Sequence, residues 1–491
     1  MAEPDIVIGI DSSTQSTKAI AWSRDGEPLC EVRADIPMNQ PSPGLVEQDV
    51  EDWWKAACST VRSVTDQIDP ARVAGVAISN QRETVAFLDQ EGRQSRSAIV
   101  WLDERALDEI PLLVNELGAE HLHSITGKPV DITPIIYRLS WLKRHHPKHL
   151  EQTSRIVDVH AFLSGRLTGR IVSSWTSADP FGIFDIEKKQ WFMPFLDHLN
   201  LSIDQFPELQ RPGTLIGTVQ HDAAIATGLS LGTPLYAGGG DGQCAGLGVN
   251  AVRPGVLYLN MGTAIIAGVW SASPAISMNW RTMTSPSGEG YFLESIQRAG
   301  AYYINWFIDT FSEGRKDAAI FDKLETQAAQ IEIGSEGVLV CPYLTGCMNP
   351  HWDANARANF IGLGPMHHLG HLYRASLEAL TLEIARSITA MNKSGLQIQR
   401  IIAVGGGANS PLWTKMIADA TGLQITKSKS LEASALGAGI SAAVGAGWFN
   451  NFNDAAISMS SEGDTIKPDA SVASIWSDLS ERQTAAYIPS E

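Results

Sequence analysis

One carboxylate, Asp241, follows three glycines in Leu235-Tyr-Ala-Gly-Gly-Gly-Asp241-Gly-Gln-Cys-Ala-Gly-Leu-Gly248. An apolar run enters this stretch, and a small-residue, helix-like segment leaves it over 243–249. Glycine lets backbone or ligand come close, because no side chain intervenes. An acid at the end of a buried strand, beside such space, can take a proton from a substrate hydroxyl while that hydroxyl attacks a phosphate. The same residues also suit a plain strand-to-helix turn with the aspartate as cap. Three further groups could share the chemistry. Asp11-Ser-Ser-Thr-Gln-Ser-Thr17 offers hydroxyls and backbone N–H groups to phosphate oxygens, and Asp11 to a metal ion through water. Such a run also forms turns that satisfy only their own backbone. Arg82 and Glu83 set a donor fork beside an acceptor, as adjacent hydroxyls of a polyol require, or else form a surface ion pair. Gly405-Gly-Gly-Ala-Asn-Ser410 precedes a helix, where a nucleotide can meet backbone N–H groups, or where helix and strand simply pack closely.

These groups need elements to hold them. Residues 6–10 read as a buried strand, with return strands over 18–23 and 27–33. A helix is expected over 52–68 and a strand over 73–79, which delivers Asn80-Gln-Arg-Glu-Thr84. A helix over 134–144 ends in His145-His146, a pair better suited to the helix dipole than to a metal. His160 has no partner at ligand spacing. Strands over 256–260 and 264–270 enclose Met261-Gly-Thr263 and repeat the layout of the first hairpin. Helices are expected over 300–310, 321–330, 369–391, 411–421 and 433–444, the last small enough in side chains to pack tightly. Strands are expected over 338–343 and 400–404. Two halves that each open with a phosphate-sized hairpin suggest a duplicated α/β unit with a nucleotide between them, divided into residues 1–247 and 248–491.

The 491 residues carry a net charge of −17, which argues against nucleic acid and anionic membrane as partners. The five cysteines are odd in number and lack a Cys-x-x-Cys pair, which reads as reduced thiols in the cytoplasm. The acidic start over 1–5 leads straight into a strand and does not read as a signal peptide. No run reaches the roughly 20 apolar residues of a membrane span. A homodimer is the default expectation for a soluble oligomer.

Taken in order, the motifs resemble the FGGY family of carbohydrate kinases. They are Gly9-Ile-Asp-Ser-Ser-Thr14, Asn80-Gln-Arg-Glu-Thr84, Trp101-Leu-Asp-Glu-Arg105, Gly238-Gly-Gly-Asp241, Met261-Gly-Thr263, Pro350-His-Trp-Asp-Ala-Asn-Ala-Arg357, His371-Leu-Tyr-Arg-Ala375 with Glu378, and Gly405-Gly-Gly-Ala-Asn-Ser-Pro-Leu-Trp413. The resemblance implies an α/β fold of two actin-like, ribonuclease-H-type domains around a deep cleft. It implies ATP with Mg2+ and phosphoryl transfer to a terminal hydroxyl of a small ketose or polyol, such as xylulose or glycerol. It further implies Asp241 as base and Asp11 near Mg2+. Thr14, Ser16 and Lys18 would belong to the first phosphate hairpin and Thr263 to the second. Gly300, Gly406 and Gly407 would lie on the nucleotide side, and Arg82, Glu83 and Thr133 at the acceptor. Thr133, Gly242 and Ile266 stand where glycerol kinases carry a tyrosine, an amide and an aromatic, so the resemblance implies room for a substrate larger than a triol. The 350–357 segment is closer to xylulokinases, which usually carry Met-His at positions 82 and 83.

Two other classes compete. An actin-like nucleotide switch would use the same hairpins without an acceptor. A dinucleotide-dependent oxidoreductase would need Gly-x-Gly-x-x-Gly, and Gly240-x-Gly242-x-x-x-Gly246 has one residue too many.

Overall fold

A computed structural model describes residues 4–317 and 319–489. Residues 1–3 of the acidic start and residues 490–491 of the tail lie outside the described residues. The first half opens with β1 (Ile6–Ser12), β2 (Ser16–Trp22) and β3 (Pro28–Asp35), then α1 (Val50–Thr65) and β4 (Val73–Asn80). A long insertion that carries α2 (Val159–Thr168) leads to β5 (Pro234–Gly240) and α3 (Asp241–Gly248). The sheet order is β3-β2-β1-β4-β5, closed by the edge strand Leu215–Thr218. β1, β4 and β5 are parallel, whereas β2 pairs antiparallel with both β1 and β3.

The second half repeats this plan. β6 (Val256–Met261), β7 (Ile265–Ser271) and β8 (Tyr291–Gln297) precede α4 (Leu369–Lys393) and β9 (Arg400–Val404). α5 (Pro411–Thr421), β10 (Gln424–Ser428) and α6 (Ala433–Gly445) follow. The order β8-β7-β6-β9-β10 matches the first sheet, with edge strands Arg281–Thr284 and Glu462–Ile466. The chain is therefore two ribonuclease-H-type, actin-like units, as the family resemblance implied.

Burial explains the continuous apolar strands. β1 is covered on both faces, so it shows no polar alternation. Ile6, Ile8 and Ile10 pack with Trp53 and Phe162 on one face, and Val7 packs with Leu436 and Ile440 on the other. Each such side chain contributes about 1.5–3 kcal/mol when fully buried. α3 and α6 cross between the two sheets. A Cβ on Gly437 would stand 1.9 Å from the Cys244 carbonyl oxygen, and one on Gly248 would stand 2.1 Å from that of Ala433. The small residues expected over 433–444 are what permits this backbone contact.

Some ends differ from expectation. The helix expected over 52–68 starts earlier, because the Asp49 side chain accepts the Glu51 N–H. The second strand begins at Ser16, not at 18, because the Ser13 N–H and hydroxyl both donate to the Ser16 carbonyl and tighten the turn. The insertion over 81–233 has its own core around Phe181, Phe184 and Trp191. It also meets the second half: the Thr282 N–H donates to the Gly127 carbonyl at 2.8 Å, and the Thr284 hydroxyl to the Asp179 carboxylate at 2.7 Å. Among the described residues all five cysteines are free, and no helix is long and apolar enough to cross a membrane.

Candidate active site

Three parallel strands of the first sheet end together. Asp11 is in register with Ser79, Ser79 with Gly239, and Asn80 with Gly240. Asp11 and Asp241 thus stand at the carboxyl ends of nearby strands, the edge at which open α/β sheets take ligands. The Ser79 hydroxyl donates to Asp11 Oδ1 at 2.7 Å. Burial pushes the Asp11 carboxyl up to about 6, against the pull of that bond, and the charge of Asp241 adds to the rise.

Asp241 is the first residue of α3, and Gly240 occupies the cap position. Asp241 Oδ1 accepts its neighbour's N–H, from Gly242 at 2.7 Å, and faces Arg82 Nε at 3.3 Å. Protein walls strip water from this carboxyl and raise it above the usual range, while Arg82 holds it back. The side chain nevertheless keeps 39% of its exposure, so a substrate can reach it.

The strand that delivers it is braced from behind. The β4–β5 register slips between Tyr236 and Gly239. There the Gly238 N–H donates instead to His160 Nε2 at 3.3 Å, and His160 Nδ1 donates to the Val172 carbonyl at 3.0 Å. Burial holds His160 down to about 4, so it stays neutral and can accept that bond. The ring given no metal role from sequence is a brace for the glycine run.

Arg82 and Glu83 belong to a chain of alternating charge. Arg82 Nη1 donates to Glu294 Oε2 at 3.0 Å, Arg281 Nη2 to Glu294 Oε1 at 2.6 Å, and Arg281 Nη1 to Glu83 Oε1 at 2.8 Å. Burial opposes the charge on Glu294, yet the two guanidinium groups outweigh it and hold the carboxyl down to about 2. Glu83 sits at φ 55°, a left-handed backbone that a long side chain seldom adopts. Sequence reading missed Arg281 and Glu294, because ordinary strand residues 200 positions away carry no local motif. A Cβ on Gly242 would meet Arg82 Nη2 at 3.0 Å and Glu294 Oε2 at 3.1 Å, so this glycine lets the ion pair lie against the start of α3.

Thr133 is buried; its hydroxyl donates to Asp131 at 2.9 Å and lies 3.4 Å from Arg281 Nη1. Behind it, buried Arg138 donates to the carbonyls of Thr133 at 2.7 Å and Trp101 at 2.8 Å, tying two pocket segments together. Thr14 lies in the first hairpin turn, and its hydroxyl oxygen accepts from Trp101 Nε1 at 2.9 Å. Ser16 is buried at the start of β2. Lys18 reaches across to Glu432, at the start of α6, and the Ser434 hydroxyl donates to the Asp241 carbonyl at 3.1 Å. These two contacts bring the first hairpin and Asp241 against the second half.

The second hairpin forms a separate cluster. Thr263 is exposed at its tip, and its carbonyl accepts the Gly300 N–H at 2.8 Å. A Cβ on Gly300 would strike Ile265 at 2.5 Å, and one on Gly407 would strike Met261 Cβ at 2.9 Å. A Cβ on Gly406 would meet nothing within 4 Å, so space stands open beside it. Tyr258 of β6 has its hydroxyl raised by burial first and then by the Asp241 charge. Among the described residues no three His, Cys, Asp or Glu side chains could hold a metal by themselves. Asp11 and Asp241 fit Mg2+, an ion that keeps several waters and takes its other ligands from substrate phosphates. A cavity of about 1000 Å³ walled by Trp191, Phe206 and Arg170 lies in the insertion and contains none of these groups.

Comparison with known proteins places the chain in a family. The chain matches the FGGY family of carbohydrate kinases, N-terminal domain, over residues 6–248 and the C-terminal domain over 257–446. It is 27% identical over 454 residues to a xylulose kinase of Bacillus subtilis, covering 92% of this chain and 90% of that one. It is 24% identical to a gluconokinase of the same organism, covering 91% and 89%. Among solved structures, a xylulose kinase from Rhodospirillum rubrum superposes with a TM-score of 0.93 at 25% identity, over 98% of each chain. The chain therefore belongs to the FGGY family of carbohydrate kinases, phosphotransferases with an alcohol group as acceptor.

Proposed function

We propose that this kinase transfers the γ-phosphoryl group of ATP to a terminal hydroxyl of a small ketose or polyol, with Asp241 as the base. The observation that carries the reading is the half-buried but reachable Asp241 carboxylate, held by Arg82 at the strand ends that also present Asp11. Arg82 and the free oxygen of Glu83 orient the acceptor hydroxyls. Asp241 takes the proton as the hydroxyl oxygen bonds to phosphorus, so no strongly basic group is needed. Thr14, Ser16 and Lys18 line the first phosphate turn, Thr263 and Gly300 the second, and Gly406 and Gly407 the adenosine side. Asp11, with Asp241 beside it, would hold Mg2+, which supplies charge neutralisation at the transferring phosphate. Positioning does most of the work, since a loose phosphoryl transition state needs little covalent help. Closing the two halves excludes water as a rival acceptor. The acceptor site favours catalysis over the nucleotide-switch reading, because a switch has no use for Arg82, Glu83 and a lone reachable base. The test is ADP release measured over glycerol, erythritol, xylulose and ribulose. Release that depends on one of these supports the proposal; acceptor-independent release coupled to polymerisation supports the switch.

A further inference from the structure

The relatives act on acceptors of different charge, one a neutral ketose and the other, by its name, a sugar acid. The charge chain at the acceptor site bears on that choice. A sugar carboxylate needs a free cation. Arg82 is already shared between Asp241 and Glu294, and Arg281 between Glu83 and Glu294. Three carboxylates therefore face two guanidinium groups. The neighbouring cations are also taken: Lys128 stands 3.5 Å from Asp179, Arg298 stands 3.5 Å from Asp131, and Lys18 pairs with Glu432. Arg138 is fully buried: its Nη1 and Nη2 donate to carbonyls, and its partnerless Nε is sealed from any acceptor. Glu294 is the pivot, since its two oxygens engage both guanidinium groups and its side chain is wholly buried.

We propose that Glu294, contributed by the second half, is the residue that sets acceptor charge: it neutralises Arg82 and Arg281, so the site takes a neutral polyol or ketose and rejects sugar acids. This rests on the kinase reading above. Hydroxyls can still bond to the rims of the paired groups, whereas a carboxylate would meet excess negative charge and no free donor fork. The same pairing holds Arg82 against Asp241, so Glu294 also positions the acceptor across the two halves.

The test compares ADP release by the full-length enzyme on xylulose, ribulose, erythritol and glycerol with release on gluconate. The wild type should favour its best neutral acceptor over gluconate by at least about 100-fold in kcat/KM, since like-charge juxtaposition is costly. Glu294→Gln should raise KM for the neutral acceptor about tenfold or more and shrink the neutral-to-acid ratio, while leaving KM for ATP within about twofold. Glu294→Asp, which keeps the charge, should restore the ratio. Gluconate turned over as well as the best neutral acceptor overturns the proposal but leaves the kinase reading standing. Release with no acceptor at all removes both. The wild-type comparison decides even if a variant fails to fold.

Discussion

Asp11 is where the chemistry and the stability of the site conflict. Its folded carboxyl sits at about 6 against an ordinary 3.8, so the folded state binds that proton more tightly than the unfolded chain does. The charge therefore costs stability, fully above pH about 6, and the cost fades as pH falls towards 3.8. Asp11→Asn should raise the nucleotide-free unfolding temperature, by on the order of 1–3 kcal/mol in stability, while lowering turnover. Thermal unfolding beside a kinetic assay reads both; a variant both less stable and fully active contradicts the assignment. Asp241 moves in the same direction through burial, so kcat/KM should begin to fall at a pH above the ordinary carboxylate range as its carboxylate protonates. A profile flat down to pH 4.5 would show that neither carboxylate is needed in its charged form. At this scale Asp11 and Asp241 stood out in the sequence by the hydroxyls and glycines beside them, and Arg82 and Glu83 as an adjacent donor and acceptor. Arg281, Glu294 and Arg138 were not, because their roles come from strand pairing and burial.

The elements follow the sequence most closely where glycine or apolar runs dictate contact. The helix expected over 433–444 is α6, and its small residues let it cross α3 with backbones touching. Gly437→Ala should cost about 1–3 kcal/mol, since its methyl would overlap the Cys244 carbonyl and must push the helices apart. Chemical denaturation measures this; a loss under about 0.5 kcal/mol would mean the crossing is slack. The register slip in β5 was not legible, because the partner of the Gly238 N–H is His160, 78 residues away in sequence. His160→Phe should leave that N–H unpaired and lower kcat more than KM, with partial rescue by Gln. Equal activity in the Phe variant would make the ring mere filling. The turn starting at Ser13 was legible as a hydroxyl-rich hairpin, but its extent depends on two bonds to one carbonyl.

At the scale of the whole molecule, the two sheets share strand order and enclose α3 and α6, while Lys18–Glu432 and Ser434–Asp241 tie the phosphate turn and the base to the second half. The duplication was readable from two hairpins of similar layout; the docking of the insertion onto the Arg281–Thr284 edge was not, since it is a pairing between surfaces. Nucleotide bound by both halves should stabilise the chain by about 2.7 kcal/mol at 100 times its dissociation constant. The central claim is that Asp241 alone removes the acceptor proton, and Asp241→Asn tests it most directly. ATP binding by calorimetry should stay within a few-fold of wild type, while phosphoryl transfer to the best acceptor falls by about 10³-fold or more. Transfer within tenfold of wild type, with nucleotide binding intact, would contradict the account.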